Sequence, residues 1–317
     1  MAKTERRPSA PEEAGRPGSA STPARSRPHG PSHQPRRAQV RRPSHTGLYV
    51  VAGCLISAVF VLPLAWEILR SFQSSTAITS PPSAASFSGL GLGNYRALLT
   101  GSNDIIRNVV NSLIVAVATS MITAVVATLA GYGFGRFRFR GSGIVFGLVL
   151  LAFMVPFQAV LTPLFLEMHY LHLLNSLLGL SLFYTAFNLP FGVYVMRNTF
   201  AQVPQEIIDA ATVDGASVIS SLTRVLRPLV LPGIATTVLY AFLFSWTEFL
   251  GALTFVTTDT YFTLPVALVN VETNTYGAVN YGYLVAGAVI AMIPCIVVYV
   301  ALQRYYVRGL ISGAVKG

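Results

Sequence analysis

Hydrophobic residues in this chain are gathered into long runs, which shorter polar connections separate. Six of these runs reach about 20 residues, the length that an α-helix needs to cross a bilayer. They cover residues 48–69, 109–134, 144–163, 177–196, 229–249 and 281–302. The pattern therefore predicts an all-α membrane protein with six transmembrane helices.

The composition agrees with this pattern. Of the 317 residues, 53% are hydrophobic and only 11% are charged, whereas a soluble domain carries about 25% charged residues. An ordinary soluble globular protein is excluded, because too few polar residues are present to cover its surface. With only two cysteines, the chain is no disulfide scaffold either.

The basic residues predict which side of the membrane each connection faces. Nineteen of the 22 Lys and Arg residues lie in the N-terminal tail, in the 135–143 and 197–228 connections and in the C-terminal tail. The opposite face has only Arg70, Arg96 and Arg107. Because cytoplasmic loops are enriched in Lys and Arg, both termini are predicted to be cytoplasmic.

Residues 1–46 differ from the rest of the chain. They contain ten Lys and Arg residues and eight of the 19 prolines, a mixture that cannot bury enough apolar surface to offset chain entropy. We predict a disordered basic cytoplasmic tail over 1–46 and a six-helix transmembrane domain over 47–317. The alternative for the tail is a lipid-binding or regulatory segment, since clustered Arg beside a membrane helix is attracted to anionic headgroups.

Few residues could support catalysis or hold a cofactor. The two lysines, Lys3 and Lys316, do not lie in a P-loop sequence, so the chain is not expected to bind ATP in the usual way. The glycines of 131–135 lack the spacing of a dinucleotide site, and close helix packing explains them better. His169 and His172 lack the further ligands of a metal site. We predict no catalytic residue, no metal, no cofactor and no nucleic acid bound by this chain.

The cytoplasmic connection 197–228 is long and contains several signals for helix ends. Pro204 and Glu206 suit the first turn of a helix. Gly215 suits a C-terminal stop, and Ser217 can cap a second helix. The connection is therefore predicted to form two short helices at an angle, with small residues at the bend that let another backbone approach.

The second of these helices is expected to join the fifth span at Pro228 and Pro232. One apolar face is predicted from residues at helical spacing: Val218, Leu222, Val225 and Leu229. The alternative for the whole connection is a re-entrant cap that covers the ends of its own helices.

The same connection resembles the E-A-A-x3-G-x9-I-x-L-P loop of permease subunits in bacterial binding-protein-dependent ABC importers. The matching residues are Asp209, Ala210, Ala211, Gly215, Val225, Arg227 and Pro228. Asp209 replaces the usual Glu and keeps its charge, and Arg227 replaces the usual Leu. Further segments resemble the sugar-importing branch and the maltose-type second permease: 94–95, 111–112, 214–217, 246–250, 264–265 and 303–317. The resemblance covers the chain beyond its first 46 residues.

The resemblance implies a multi-pass permease subunit of the bacterial cell membrane that takes up a mono- or oligosaccharide. The implied partners are a second permease (as a heterodimer), two cytosolic ABC ATPase subunits that hold ATP and Mg, and an extracellular solute-binding protein that touches the 257–280 loop. The cytoplasmic connection would couple ATPase closure to alternating access. The coupling contacts are expected on Glu206, Asp209, Ala210, Ala211, Asp214, Gly215 and Ala216. Polyols and glycerol phosphates stay open as substrates.

Polar and aromatic residues inside the spans are candidates for a substrate path, since such groups are costly in lipid. The candidates are Gln158, Tyr184, Asn188, Tyr240 and Trp246. Gln158 lies between Pro156 and Pro163, where a broken helix would expose backbone to a cavity. The alternative for the aromatic residues is an interface belt or helix packing. Glu67 and Glu248, at the outer ends of spans, are expected to snorkel.

A second functional hypothesis is a secondary transporter or channel that works without an ATPase partner. Such carriers often show an internal repeat and paired ionisable residues near mid-membrane. Neither feature is evident in the sequence, so an ATP-driven importer is the preferred interpretation.

Overall fold

The computed structural model describes residues 46–81, 89–101, 104–272 and 280–314. The predicted tail of residues 1–46 therefore lies outside the described residues, except for Thr46. The chain divides into two units, Met1–Cys54 and Leu55–Gly317. The first unit is described only where it begins a helix, and all the packing reported below lies within the second.

The described residues form helices and no strand. The α-helices are α1 (Thr46–Arg70), α2 (Ser75–Thr79), α3 (Gly93–Thr100), α4 (Ile105–Arg136), α5 (Ser142–Phe153), α6 (Phe157–Tyr170), α7 (Leu177–Ala201), α8 (Gln205–Val213), α9 (Val218–Ser220), α10 (Arg227–Thr247), α11 (Leu250–Phe255), α12 (Leu264–Glu272) and α13 (Tyr281–Ala314). A π-helical segment, Ser221–Leu226, joins α9 to α10, and a 3-10 turn, Asp259–Tyr261, lies between α11 and α12.

Five helices in the described part of the chain are long and apolar enough to cross a membrane. They are Gly47–Arg70, Ile105–Arg136, Leu177–Ala201, Val218–Thr247 and Tyr281–Tyr305. The pair α5 and α6 adds a sixth if the two helices together form one span. The prediction of an all-helical membrane protein is confirmed, while the count of six depends on this pair.

The α5–α6 pair is bent by 98° at a short break. Pro156 stands at the start of α6 with extended backbone angles, φ −61° and ψ 126°. A proline disfavours helical angles in the residue before it, here Val155, and it has no amide hydrogen to continue the helix. Pro163, in contrast, is accommodated inside α6. The expected broken helix is therefore present, with its break at Pro156.

The predicted junction with the fifth span lies at Pro228, because α10 begins at Arg227 directly after the π-helical segment. Helical structure nevertheless runs without a break over Val218–Thr247, and Pro232 lies inside α10. Pro228 lies in the first turn of α10, where its missing amide hydrogen costs least. The π-helical turns before it have a five-residue spacing, which rotates the buried face of the helix. The buried residues are Ser221, Leu226 and Val230, while Val218 and Leu229 of the predicted face are exposed.

The centre of the second unit is formed by α4, α7 and α10, which pack closely against one another. Small polar side chains are buried on these helices beside the apolar ones: Thr119, Thr123, Ser181, Thr185 and Thr237. A Cβ atom on Gly131 of α4 would lie 2.8 Å from the backbone nitrogen of Arg197, and one on Gly135 would lie 3.0 Å from the Arg197 carbonyl oxygen. Small residues that let helix backbones approach are typical of membrane bundles, and the close packing predicted for the 131–135 glycines is confirmed at these two.

Candidate functional site

The connection between α7 and the 218–247 helix contains the short helix α8 and a sharp turn. Two hydrogen bonds of a Schellman motif close α8, from the Gly215 amide to the Thr212 carbonyl at 3.0 Å and from the Ala216 amide to the Ala211 carbonyl at 2.9 Å. Gly215 has a φ of +74°, which glycine adopts without strain. The Ser217 hydroxyl accepts a backbone amide of α9 at 3.3 Å. The helix stop at Gly215 and the cap at Ser217 are confirmed.

One face of α8 is packed against its own chain. Ile207 and Ile208 lie on the cluster that contains buried Val203 and Leu226, and Ala211 is buried. The other predicted coupling residues are at the surface: Glu206, Asp209, Ala210, Asp214 and Gly215 are exposed, and Ala216 is partly exposed. Packing within the chain therefore holds α8 in place and leaves an outward acidic face.

Apolar residues that were not among the predicted coupling residues extend this outward face. Val213 is 87% exposed, Ile219 is 74% exposed and Val218 is 54% exposed. Val213 follows Ala211 by two positions, which is about 200° around a helix and so points away from the buried side. Helical periodicity could have identified Val213 as an outward residue, because Ile207 and Ala211 are one turn apart and mark the buried face of α8. We call the residues Glu206, Asp209, Ala210, Val213, Asp214, Gly215, Val218 and Ile219 the α8 surface.

A polar cluster of buried Tyr184 and partly buried Glu248 links α7 to the break between α10 and α11. The Tyr184 hydroxyl donates to Glu248 Oε2 at 2.6 Å. The same carboxylate accepts the backbone amides of Leu250 and Gly251, each at 2.8 Å, at the start of α11. The prediction that Glu248 snorkels is therefore wrong. Because the chain bends between α10 and α11, the carboxylate caps the freed amides instead.

Asn188 lies one turn beyond Tyr184 on α7 and is buried. Its Nδ2 donates to the Tyr184 carbonyl at 2.7 Å. Its Oδ1 is buried with no hydrogen-bond partner in the described part of the chain. Tyr184 and Asn188 are thus brought together, but neither side chain reaches the surface of this chain.

The other three candidate path residues lie in different places. Tyr240 is half-buried and lies against the Phe191 ring, with centroids 3.9 Å apart. Gln158 is exposed just after the α5–α6 break. Trp246 is buried, and its indole Nε1 donates to the Ala291 carbonyl of α13 at 3.0 Å. Trp246 therefore packs against α13 and away from the other four candidates.

The segment that follows α11 is held by polar side chains of its neighbours. Asn175 Oδ1 accepts the backbone amides of Thr257 and Thr258 at 2.7 and 2.9 Å. On α4, Asn111 Nδ2 donates to the Thr260 carbonyl at 2.9 Å, and the Ser112 hydroxyl accepts the Leu264 amide at 2.7 Å. The described part of the 257–280 loop is therefore fixed to α4 and to the turn before α7.

Residues 124–312 match the family described as "Binding-protein-dependent transport system inner membrane component". This segment runs from α4 into α13 and includes α8, the Tyr184–Glu248 cluster and the segment after α11. The chain belongs to this family. As an inner membrane component, it lies in a cell membrane, as predicted.

Relatives of this transport component cover most of its length. It is 32% identical over 85% of the chain to the trehalose transport system permease protein SugB of Mycobacterium tuberculosis, and it covers 97% of that protein. It is 30% identical over 83% of the chain to the arabinooligosaccharides transport system permease protein AraQ of Bacillus subtilis, and covers 93% of it. Over 71% of the chain it is 37% identical to the osmoprotective compounds uptake permease protein GgtD of Synechocystis, covering 75% of that protein.

A solved structure shares the fold of this inner membrane component. It is a bacterial ABC transporter involved in the import of the acidic polysaccharide alginate, with a TM-score of 0.69. The match covers 84% of this chain and 99% of that chain at 21% sequence identity. At this identity the likeness supports the fold alone, and it agrees with the expected ABC importer permease fold.

Proposed function

We propose that this chain is a permease subunit of an ATP-driven importer that takes up a sugar, either a monosaccharide or an oligosaccharide. The observation that carries the proposal is its similarity, over more than four fifths of its length, to permeases named for trehalose and for arabinooligosaccharides. Substrates differ among such relatives, so we propose the class of substrate and no single sugar. A secondary carrier or channel is not favoured, because the family is that of binding-protein-dependent systems.

The α8 surface is the part of the chain that we propose as the docking site of a cytosolic ATPase. It combines the carboxylates of Glu206, Asp209 and Asp214 with exposed Val213 and Ile219. Such a surface fits a groove that offers basic side chains at its rim and apolar ones at its floor. ATP and Mg²⁺ would be held by two copies of that ATPase, and this chain would transmit their closure to the spans.

Two further partners complete the proposal. A second permease would form a heterodimer with this chain in the membrane. An extracellular solute-binding protein would dock near the segment after α11, which Asn175 and Asn111 hold in place. For the sugar path, exposed Gln158 and half-buried Tyr240 are better placed than Tyr184, Asn188 and Trp246, whose side chains are buried in this chain.

The proposal is tested by purifying the tagged chain from its native membrane in mild detergent and identifying the co-purifying proteins by mass spectrometry. We expect a second permease, a P-loop ATPase and a solute-binding protein. Thermal shift of that binding protein against a panel of sugars, polyols and glycerol phosphates would then identify the substrate class. Recovery of the chain alone, together with solute transport in liposomes without ATP, would establish a secondary carrier instead.

The docking site is tested separately by cross-linking. A cysteine at the α8 surface, Val213→Cys, is expected to cross-link to the ATPase subunit through a short bis-maleimide. Phe139→Cys, an exposed residue of the neighbouring 137–141 connection, is the matched control and should cross-link weakly. The native Cys54 and Cys295 are replaced by Ser in both variants.

A further inference from the structure

Arg136, the last residue of α4, reaches the start of α8. Its guanidinium Nη2 donates to the carbonyl oxygen of Val203, the buried residue of the turn that precedes α8. Its Nη1 donates to Gln205 Oε1 at 3.3 Å. One planar guanidinium group therefore holds both the backbone before α8 and the first side chain of α8, and its donors are fixed in a rigid planar fork.

Gln205 extends this contact to the α8 surface. Its Nε2 donates to Asp209 Oδ1 at 3.0 Å, one turn further along α8. An amide offers one acceptor and one donor end, so Arg136 and Asp209 together fix the orientation of the Gln205 side chain. Arg136 is thereby connected, through one intermediate amide, to an exposed carboxylate of the proposed docking site.

The end of α4 that carries Arg136 is itself fixed to α7. Both Gly131 and Gly135 bring the α4 backbone against the Arg197 backbone. The Tyr132 ring packs on the Phe200 ring of α7, with centroids 5.3 Å apart. Arg136 therefore extends from a closely packed pair of spans, and a displacement of α8 relative to that pair must strain or break its contacts.

We infer that Arg136 is a positioning residue for energy coupling: it sets the position of α8 relative to α4 and α7 when the ATPase closes. This inference rests on the proposed function of the α8 surface as the ATPase docking site. Without Arg136, α8 would keep its covalent link to α7 through 202–204 and the packing of Ile207 and Ile208, but it would lose the hydrogen bonds that join it to the end of α4.

The test measures the distance between nitroxide spin labels on α8 and α4 in the purified complex with its ATPase. The labels are placed at Thr212→Cys, an exposed residue of α8 outside the α8 surface, and at Leu129→Cys, an exposed residue of α4. Cys54 and Cys295 are replaced by Ser in this background. Distances are recorded without nucleotide and after trapping with ATP, Mg²⁺ and vanadate. In Arg136→Met we expect the trapped distance to change by about 2 Å or more relative to the unsubstituted chain, a shift typical of switching interfaces.

Arg138→Met is the matched control, because Arg138 is exposed in the same connection and carries the same charge. Arg138→Met is expected to leave both distances unchanged. If the loss of a positive charge altered the membrane orientation by itself, the effect would appear in both Arg136→Met and Arg138→Met. Arg136→Lys keeps the charge and loses the planar fork, and it should restore only part of the position. Gln205→Ala removes the hydrogen bonds to both Arg136 and Asp209 and leaves the contact between Arg136 and Val203. If Arg136→Met does not accumulate, Gln205→Ala should show a smaller change of the trapped distance in its place, and an unchanged distance would overturn the inference.

A positioning role and a purely structural role give different results. For positioning, the distance without nucleotide and the melting temperature of the complex stay close to those of the unsubstituted chain, and only the trapped distance changes. An unchanged trapped distance in Arg136→Met overturns the inference, and so does a change that is equally large without nucleotide and is accompanied by a lower melting temperature. Failure of the proposed function is separate, since it would show as absent cross-linking between Val213→Cys and the ATPase.

Discussion

At Gly215 the backbone conformation, and not the space around the residue, limits which side chain is tolerated. Its φ is +74°, and a Cβ atom added there would meet nothing within 4 Å. A β-branched side chain is strained in this region at a cost of about 1–2 kcal/mol or more. We predict that Gly215→Val distorts the α8 surface and lowers the amount of sugar taken up per ATP hydrolysed by about fivefold, while membrane insertion stays intact. Uptake and ATP hydrolysis measured in the same proteoliposomes check this.

Gly141 supplies the matched control for that substitution. It has a φ of +84°, equally open surroundings, and a place in the neighbouring α4–α5 connection. Gly141→Val carries the same backbone strain without touching α8, so it should leave uptake per ATP near that of the unsubstituted chain. If Gly215→Val transported normally, the assignment of the α8 surface to coupling would be wrong.

Glu248 stabilises the break between α10 and α11 through its side-chain hydrogen bonds. Its carboxylate accepts three hydrogen bonds, from the Tyr184 hydroxyl and from the Leu250 and Gly251 amides. Glu248→Gln replaces one acceptor oxygen by a donor that faces other donors, with an expected loss of about 1–3 kcal/mol of stability. Tyr184→Phe removes a single hydrogen bond and should cost less. Thermal unfolding of the purified complex measures both, and Glu67→Gln, near the C-terminal end of α1, serves as the control.

At the scale of whole helices, α4 packs closely against α7 because Gly131, which faces α7, has no Cβ atom. A Cβ on Gly131 would lie 2.8 Å from the Arg197 backbone nitrogen, whereas Gly133, two positions later, has nothing within 4 Å. We predict that Gly131→Ala forces the two helices apart and destabilises the complex by about 1–3 kcal/mol. Gly133→Ala should be neutral or slightly stabilising. Equal melting temperatures for the two variants would contradict the close α4–α7 packing.

The long helices could be predicted from the sequence, because a bilayer demands about 20 apolar residues and such runs are visible without tertiary information. The stop at Gly215 and the cap at Ser217 were equally readable, since both depend on local backbone geometry. The continuous Val218–Thr247 helix could not be read in this way. In the sequence, Pro228 indicates the start of a new helix. The helix is continuous because a π-helical turn precedes Pro228, and this turn buries Ser221 and Leu226, which only the tertiary structure reveals.

The roles of single polar residues were harder to predict, because they depend on partners that are distant in sequence. Tyr184 and Glu248 are 64 residues apart and meet through a hydrogen bond, which no spacing along the chain reveals. Arg136 and Gln205 are 69 apart, and the sequence offered no signal that the end of α4 reaches α8. The short helices α2, α3 and α11 were not predicted for another reason. They have only five to eight residues, which is too few for a helical hydrophobic period to be recognised.

At the scale of the whole molecule, the α5–α6 pair decides on which side of the membrane every later helix ends. If the pair crosses the membrane, α8 lies on the same side as the N-terminus. If it is re-entrant, α8 and its three nearby arginines, Arg197, Arg224 and Arg227, lie on the opposite side. The second arrangement conflicts with the retention of basic residues in the cytoplasm, so we predict that the pair spans.

Two cysteine variants in a chain with Cys54 and Cys295 replaced by Ser distinguish the arrangements. Tyr170→Cys tests the end of α6 and Val213→Cys tests α8; both residues are highly exposed, at 79% and 87%. In intact cells whose outer face is accessible, a membrane-impermeant maleimide should label Tyr170→Cys and should reach Val213→Cys only after the membrane is opened. The reverse pattern would show that the bent pair is re-entrant, and it would place the α8 surface outside, beyond the reach of any cytosolic ATPase. Because the coupling proposal requires α8 to be cytoplasmic, this labelling experiment tests the topology and the mechanism together.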